Sequence, residues 1–278
     1  VLPRLHRRFC VGYELPPYVV RLLENWAIPF VDVRIHPIRF MDDLMFAVRA
    51  SDPATRCALS AMAVADAEVS MTAGLREAMC RLISDTGVPG NTLLVLGQRP
   101  YDSSQIVGGA FFDAMEHLPQ ITDICAQYSA VLLKPHPNER EHSLLVAVAG
   151  IAANVLGVIN DNVYRMLAMP QISAVLTASS SVAYEAPYFG KTVHALAPFP
   201  IRLGWRGDRL DSDTCAALGD CVLTADFWRV VLQPHAPVTP RDGVCFPSKP
   251  NRLRIALDCF WNFNEIDSDR IPSAAVSR

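Results

Sequence analysis

Between Asn91 and Ala197 the chain alternates short apolar runs with helix-length stretches, and three of those runs end abruptly in polar segments. Thr92-Leu93-Leu94-Val95-Leu96 leads into Gly97-Gln98-Arg99-Pro100-Tyr101-Asp102-Ser103-Ser104. Ala130-Val131-Leu132-Leu133 leads into Lys134-Pro135-His136-Pro137. Ile172-Ser173-Ala174-Val175-Leu176-Thr177 precedes Ser179-Ser180-Ser181-Val182-Ala183-Tyr184-Glu185-Ala186. Strands alternating with helices at this spacing imply βαβ units and a parallel sheet. In an open sheet of that kind, residues just past the carboxyl ends of neighbouring strands gather in one crevice. A carboxylate, a histidine and a hydroxyl-rich helix start would then face one ligand, a pattern that suggests a nucleotide-sugar site.

The expected elements of this region are strands at 92–96, 130–133, 155–159, 172–177 and 192–196, with helices at 112–127, 139–150, 162–168 and 181–189. Before it, Gly87-Val88-Pro89-Gly90-Asn91 reads as a linker. The front of the chain predicts a strand near 8–12, a helix over 18–26 opened by Pro16 and Pro17, and a strand at 29–35. A helix over 40–50 and a long Ala- and Met-rich helix from 52 to 85 are expected next. The tail from Asp213 reads as partly helical, with 251–261 the best helix. Two domains result: a smaller α/β domain over 1–90 and a nucleotide-sugar-binding domain over 91–278.

Composition excludes several classes. With 278 residues, 51% of them hydrophobic, and a net charge of −3, the chain can bury a core and lacks the basic excess that phosphate-backbone binding needs. Nucleic acid is therefore not an expected partner. The longest apolar stretch, 144–159, is interrupted by Gly150, Asn154 and Gly157 and falls short of the roughly 20 residues of a spanning helix. The 8 cysteines form no CxxC pair and read as reduced thiols of a cytoplasmic protein. The histidines show no zinc-ligand spacing, so neither a metal nor a cofactor is expected. The chain begins at Val1 and reaches a strand-like segment almost at once, which reads as a fragment of a longer protein with a truncated front domain.

Each candidate residue has a plain structural alternative. Asp102 is either the cap of a turn near Ser103 or an exposed carboxylate able to act as nucleophile or base. His136, held between two prolines, is better suited to a ligand contact than an ordinary surface histidine, with Lys134 beside it as a counter-charge for phosphate. Ser179, Ser180 and Ser181 can cap a helix, bind phosphate, or do both. Glu185, one turn on, is a surface charge or an acceptor for ribose hydroxyls.

Gly97-Gln98 with Asp102-Ser103, the Lys-Pro-His-Pro segment, and the serine-rich helix start with Glu185 and Gly190-Lys191 together resemble bacterial capsule-polysaccharide transferases, specifically the retaining β-Kdo glycosyltransferases. Gly12-Tyr13-Glu14-Leu15-Pro16-Pro17, the His36 to Asp43 segment, and Pro198 to Trp205 extend the resemblance over roughly residues 8–205, although the family's Trp-Gly order is not kept at 204–205. The resemblance implies a GT-B-like fold, CMP-Kdo as donor, and a glycan or glycolipid acceptor. It also implies a cytoplasmic enzyme working peripherally with inner-membrane assembly machinery. In its mechanism Asp102 is the nucleophile of a double displacement. His136 and Lys134 steady the departing phosphate with Ser179, Ser180 and Ser181, while Gln98 and Ser103 belong to the substrate site. Glu14 is the candidate base toward the acceptor. An inverting sialyltransferase-like enzyme with Asp102 as base, a CDP-glycerol phosphotransferase-like polymer enzyme, and a non-catalytic half of a larger assembly protein remain as alternatives.

Overall fold

The computed structural model describes residues 8–81, 87–99, 102–136, 143–235 and 251–259. In chain order the elements begin β1 (Cys10–Tyr13), α1 (Pro17–Asn25), β2 (Phe30–Ile35), β3 (Phe46–Ala50), α2 (Pro53–Met62) and α3 (Asp66–Arg81). Next come β4 (Thr92–Leu96), the short strands β5 (Ile106–Val107) and β6 (Ala110–Phe111), α4 (Leu118–Cys125), β7 (Ala130–Lys134), α5 (Ser143–Ile151) and β8 (Val155–Val158). The rest are α6 (Val163–Ala168), β9 (Ile172–Thr177), α7 (Val182–Glu185), β10 (Thr192–Ala195), β11 (Arg202–Gly204), β12 (Thr214–Leu218), α8 (Ala225–Leu232) and α9 (Arg252–Leu257). Two compact units result, a first holding Val1–Val69 with Ile201–Cys259 and a second holding Ser70–Pro200.

The second unit is built on a sheet of order β10-β9-β4-β7-β8 in which every neighbouring pair is parallel. Its central strand β4 is buried along its whole length, so its sequence is a continuous apolar run rather than an alternation. One face carries Leu93, Val95, Val131, Leu133, Ala174 and Leu176 against Ile121 and Ile124 of α4 and Leu144, Leu145 and Val148 of α5. On the other face Leu94 and Val175 are fully buried, and α6 packs on β9. The chain winds outward from β4 through β7 to β8, then returns to place β9 on the opposite side of β4. Winding therefore reverses between β4 and β9, the place where open parallel sheets leave a crevice for ligands. The expected α/β class is what the structure has, with 92–96, 130–133 and 172–177 side by side.

The first unit has a mixed sheet of order β1-β2-β3-β12-β11. β1 and β2 are parallel and joined through α1, β3 runs antiparallel to both β2 and β12, and β11 is parallel to β12. Pro17 starts α1 in the first-turn position where proline's missing N–H is harmless, and Val20 and Leu23 bury against Ile28 and Phe30. On the opposite face, Val31, Val33, Phe46 and Val48 pack with Leu59 of α2 and Phe227 and Val231 of α8. Asp32 is fully buried in β2, where its Oδ2 accepts from Arg34 (2.6 Å) and Arg49 (3.0 Å) and its Oδ1 accepts from the Leu15 amide (2.9 Å).

Two expectations are corrected. Residues 46–50 form the central strand β3, not the end of a helix over 40–50. Ala47, Val48 and Ala50 are fully buried, and ladders on both sides override the helix preference of alanine and arginine. The long helix expected over 52–85 is two helices, because the Val64 amide leaves the helical ladder to donate to the Ala217 carbonyl of β12 (2.7 Å). Residues 82–85 of that expectation lie outside the described residues. The tail from Asp213 is partly helical, in α8 and α9, and it also supplies β12, which with β11 just before it joins the first unit's sheet. Residues 201–259 group with the front of the chain. Among the described residues no helix is long and apolar enough to cross a membrane.

Candidate functional site

The crevice at the switch point is tied together by one side chain. Gln98 leaves the carboxyl end of β4, and its Oε1 accepts from the Thr177 hydroxyl (3.0 Å) at the end of β9 and from the Ser179 amide (2.7 Å) just beyond. Its Nε2 donates to the Ser179 hydroxyl (3.3 Å). The amide therefore staples the two strand ends that flank the reversal. Beside it is a shallow hollow lined by Leu96, Gly97, Gln98, Gln105, Phe112 and Ala178.

The Asp102 loop reaches the same place through Ser104, whose hydroxyl lies 3.5 Å from that of Ser179. Asp102 is exposed, and its Oδ1 accepts from the Ser104 amide (2.9 Å), capping the 3-10 turn Ser103–Gln105. The cap orients the carboxylate while leaving it in contact with solvent, so capping does not hide it from a ligand. Gln105 is buried and donates to the Arg99 carbonyl (2.6 Å), which closes the loop on itself. Ser103 stays exposed on the turn.

Lys134 ends β7 directly beside Leu96, and its carbonyl accepts from the Gly97 amide (2.8 Å). His136, two residues further, is half-buried. Pro137, the second of the two prolines that frame it, lies outside the described residues. Lys134 and His136 thus leave the sheet next to the Gln98 strand end, at the same carboxyl edge as Asp102 and the serines.

Ser179 is buried, whereas Ser180 and Ser181 are half-buried. The Ser180 amide donates to Thr177 Oγ1 (3.2 Å), and the Ser180 hydroxyl accepts from the Val182 amide (3.3 Å). Ser181 makes no side-chain cap, and the helix it opens, α7, has only 4 residues before passing into a 3-10 turn. The macrodipole of so short a helix is small, so hydroxyls and loop amides carry what this segment can offer a phosphate. Glu185 is placed inside the unit: it is 1% exposed and accepts from the Tyr164 hydroxyl (2.9 Å). Glu14 belongs to the first unit, directly after β1, with an exposed side chain and a left-handed backbone (φ 51°). Among the described residues no group of three metal-ligating side chains is close enough to hold a metal ion.

Thr177 and Ser104, to which sequence reasoning assigned no role, are site neighbours. Thr177 reads as the last residue of a strand, and only its hydroxyl's partner reveals the role. In the first unit, His36 is another residue whose environment the sequence does not reveal. It is fully buried, its Nδ1 accepts from the Ile38 amide (3.1 Å), and burial lowers its pKa from the ordinary 6.5 to about 3. An unfolded chain protonates this imidazole near 6.5, whereas the folded ring stays neutral down to about 3. Stability contributed by the neutral ring is thus complete above 6.5 and falls as pH drops through the interval. The loss approaches ~1.4 kcal/mol per pH unit. Urea denaturation at pH 5.5 and 4.5 should show a loss larger by about that amount in the wild type than in His36→Asn, and parallel losses in the two proteins would refute it.

No family model matches the chain, and no curated protein matches it. Among solved structures it is similar to Thermosulfurimonas dismutans KpsC, beta Kdo 2,4 transferase, with a TM-score of 0.41 and 14% identity over 66% of this chain and 67% of that one. It is also similar to Thermosulfurimonas dismutans KpsC, beta Kdo 2,7 transferase, with a TM-score of 0.37 and 14% identity over 67% of this chain and 78% of that one. Both likenesses are distant. Any functional reading must rest on the chain's own residues.

Proposed function

We propose that the protein is a glycosyltransferase of capsular or O-antigen polysaccharide biosynthesis that transfers Kdo from CMP-Kdo to a glycan or glycolipid acceptor with retention of configuration, on a GT-B-like pair of α/β units. The observation that carries this reading is the Gln98 staple at the switch point, which joins the ends of β4 and β9 and links the Asp102 loop to Ser179 through Ser104. The motifs at these strand ends are the ones whose pattern resembles the retaining Kdo transferases.

In this reading the Asp102 carboxylate attacks the anomeric carbon of Kdo while the bond from that carbon to the CMP phosphate oxygen breaks. CMP departs with the electron pair. An acceptor hydroxyl then attacks the same carbon and displaces Asp102, its proton passing to a base, the role assigned to Glu14. Two displacements by inversion give net retention, and each is easier than a single one because a carboxylate is both a competent nucleophile and a competent leaving group. His136 and Lys134 offset the charge on the leaving phosphate, with hydroxyls of Ser180 and Ser181 as further donors. Gln98 and Ser179 hold the crevice in shape, Ser103 lies on the donor-facing turn, and Glu185 braces the serine segment from within. A place at the cytoplasmic side of the inner membrane follows from a lipid-linked acceptor.

His136→Ala is expected to weaken CMP binding by about tenfold, the loss of one charge-assisted hydrogen bond, as measured by calorimetry. Unchanged affinity would remove His136 from the donor site. Intact-protein mass spectrometry after incubation with CMP-Kdo and no acceptor tests donor and mechanism together. A Kdo adduct is expected, and CMP release without an adduct would favour the inverting alternative.

A further inference from the structure

A second gathering of chemistry lies in the first unit. β1, β2 and β11 all run in the same direction through its sheet. Glu14, His36 and Trp205, the residues immediately after these strands, therefore share one carboxyl-end edge. Open α/β sheets bind ligands at such edges.

Two of the three residues carry a feature that packing alone does not require, and the third is an aromatic ring beside them. Glu14 holds a left-handed backbone (φ 51°), a conformation that non-glycine residues seldom adopt and that recurs at functional sites. His36 is fully buried, and because Nδ1 accepts from the Ile38 amide, its ring proton sits on Nε2. That Nε2 has no hydrogen-bond partner among the described residues. A buried donor left without an acceptor is costly, and folded proteins keep few of them. Trp205 is half-buried with its ring centroid 5.7 Å from that of His36.

The surroundings hold these groups in place. A Cβ on Gly204 would come within 2.3 Å of Leu210 and 2.9 Å of Thr214, so the approach to Trp205 is a glycine position. The Trp205 amide then donates to Asp208 Oδ2 (2.8 Å). The loop after His36 is pinned by α9: Asp43 accepts from the Leu253 and Arg254 amides (2.9 and 3.2 Å), and the buried Arg254 guanidinium donates to the carbonyls of Arg39 (2.6 Å) and Met41 (2.7 Å). Rigid support of this kind is what a binding site needs in order to keep its donors aimed.

We propose that this edge is a sugar-acceptor subsite in which the His36 Nε2–H donates to an oxygen of the acceptor glycan and the Trp205 ring stacks on the sugar's C–H face. The inference rests on the transferase reading and deepens it. A neutral N–H suits a hydroxyl or ring oxygen and asks for no charge on the ligand. The electron-rich face of an indole suits the polarised C–H bonds of a pyranose. His36 is enclosed in the free protein, so reaching its Nε2 requires the side chains around it to yield, the half-buried Trp205 ring 5.7 Å away among them.

The test uses a Kdo-terminated disaccharide as acceptor probe. His36→Asn keeps an oxygen where Nδ1 accepts from Ile38 and lacks the Nε2 donor, whereas His36→Gln returns an amide N–H close to the Nε2 position. The disaccharide should bind His36→Asn about tenfold more weakly than the wild type, and His36→Gln should recover most of the loss. Acceptor KM should rise in His36→Asn while kcat and CMP affinity hold. In wild-type protein labelled with ¹⁵N-histidine, the His36 Nε2 resonance should move as the disaccharide is added, a readout that needs no variant. A folded His36→Asn protein with wild-type acceptor affinity, or an Nε2 resonance unmoved at saturation, overturns the subsite. So does a wild type that turns over CMP-Kdo without binding the disaccharide. A wild type that neither binds the disaccharide nor releases CMP from CMP-Kdo instead refutes the transferase reading itself.

Discussion

Asp102→Asn should reduce turnover of CMP-Kdo by at least about a thousandfold while changing CMP affinity by less than about twofold. The asparagine amide has the carboxylate's size and can still accept from the Ser104 amide through its oxygen, so the 3-10 turn at 103–105 keeps its cap. What it loses is nucleophilicity, which makes the variant a test of chemistry and not of folding. Circular dichroism and the melting temperature should match the wild type, and the adduct should be absent by mass spectrometry. Retained activity with retained configuration would move the nucleophile elsewhere. Loss of activity in a protein whose product is inverted would make Asp102 a base on the acceptor.

Asp32→Asn should be the most destabilising conservative change in the first unit. Asp32 is 0% exposed and is shared by two guanidiniums whose side chains are themselves only 16% and 13% exposed. Neutralising it leaves two poorly solvated cations facing each other and weakens the hold on the Leu15 amide. Breaking a buried ion pair from one side typically costs about 3–5 kcal/mol, and the partial exposure of Arg34 and Arg49 places the expected loss near the lower figure. Urea unfolding followed by tryptophan fluorescence should show the shift, since Trp26, Trp205 and Trp228, three of the chain's 4 tryptophans, lie in this unit. A loss under about 1 kcal/mol would mean that solvent already screens the arginines.

Much of the second unit was legible in the sequence because its strands are short, apolar and separated by helix-length spacers. Those repeats are local, and β4, β7, β8, β9 and β10 fall within a residue of where periodicity puts them. The polar segments after β4, β7 and β9 were legible for the same reason, since a strand's end is where its apolar run stops. Less could be read where one residue type serves two environments. Glu185 on a short helix reads as an acceptor for ribose hydroxyls or a surface charge, and the turn of α7 directs it inward to Tyr164. Gln98 reads as a substrate contact, yet its amide is engaged by Thr177 and Ser179.

The amino-acid sequence by itself determined the class of the fold and the three strand ends that carry the candidate site, because side-chain periodicity and turn chemistry act over a few residues. Tertiary structure alone decided that Phe46–Ala50 is a strand, that Val64 breaks the long helix, and that residues 202–218 complete the first unit's sheet. It alone also placed the His36 Nε2 beside Trp205 with no hydrogen-bond partner among the described residues. These outcomes depend on hydrogen-bond partners far away in the chain, and a backbone amide or an imidazole carries no local mark of which distant group will meet it.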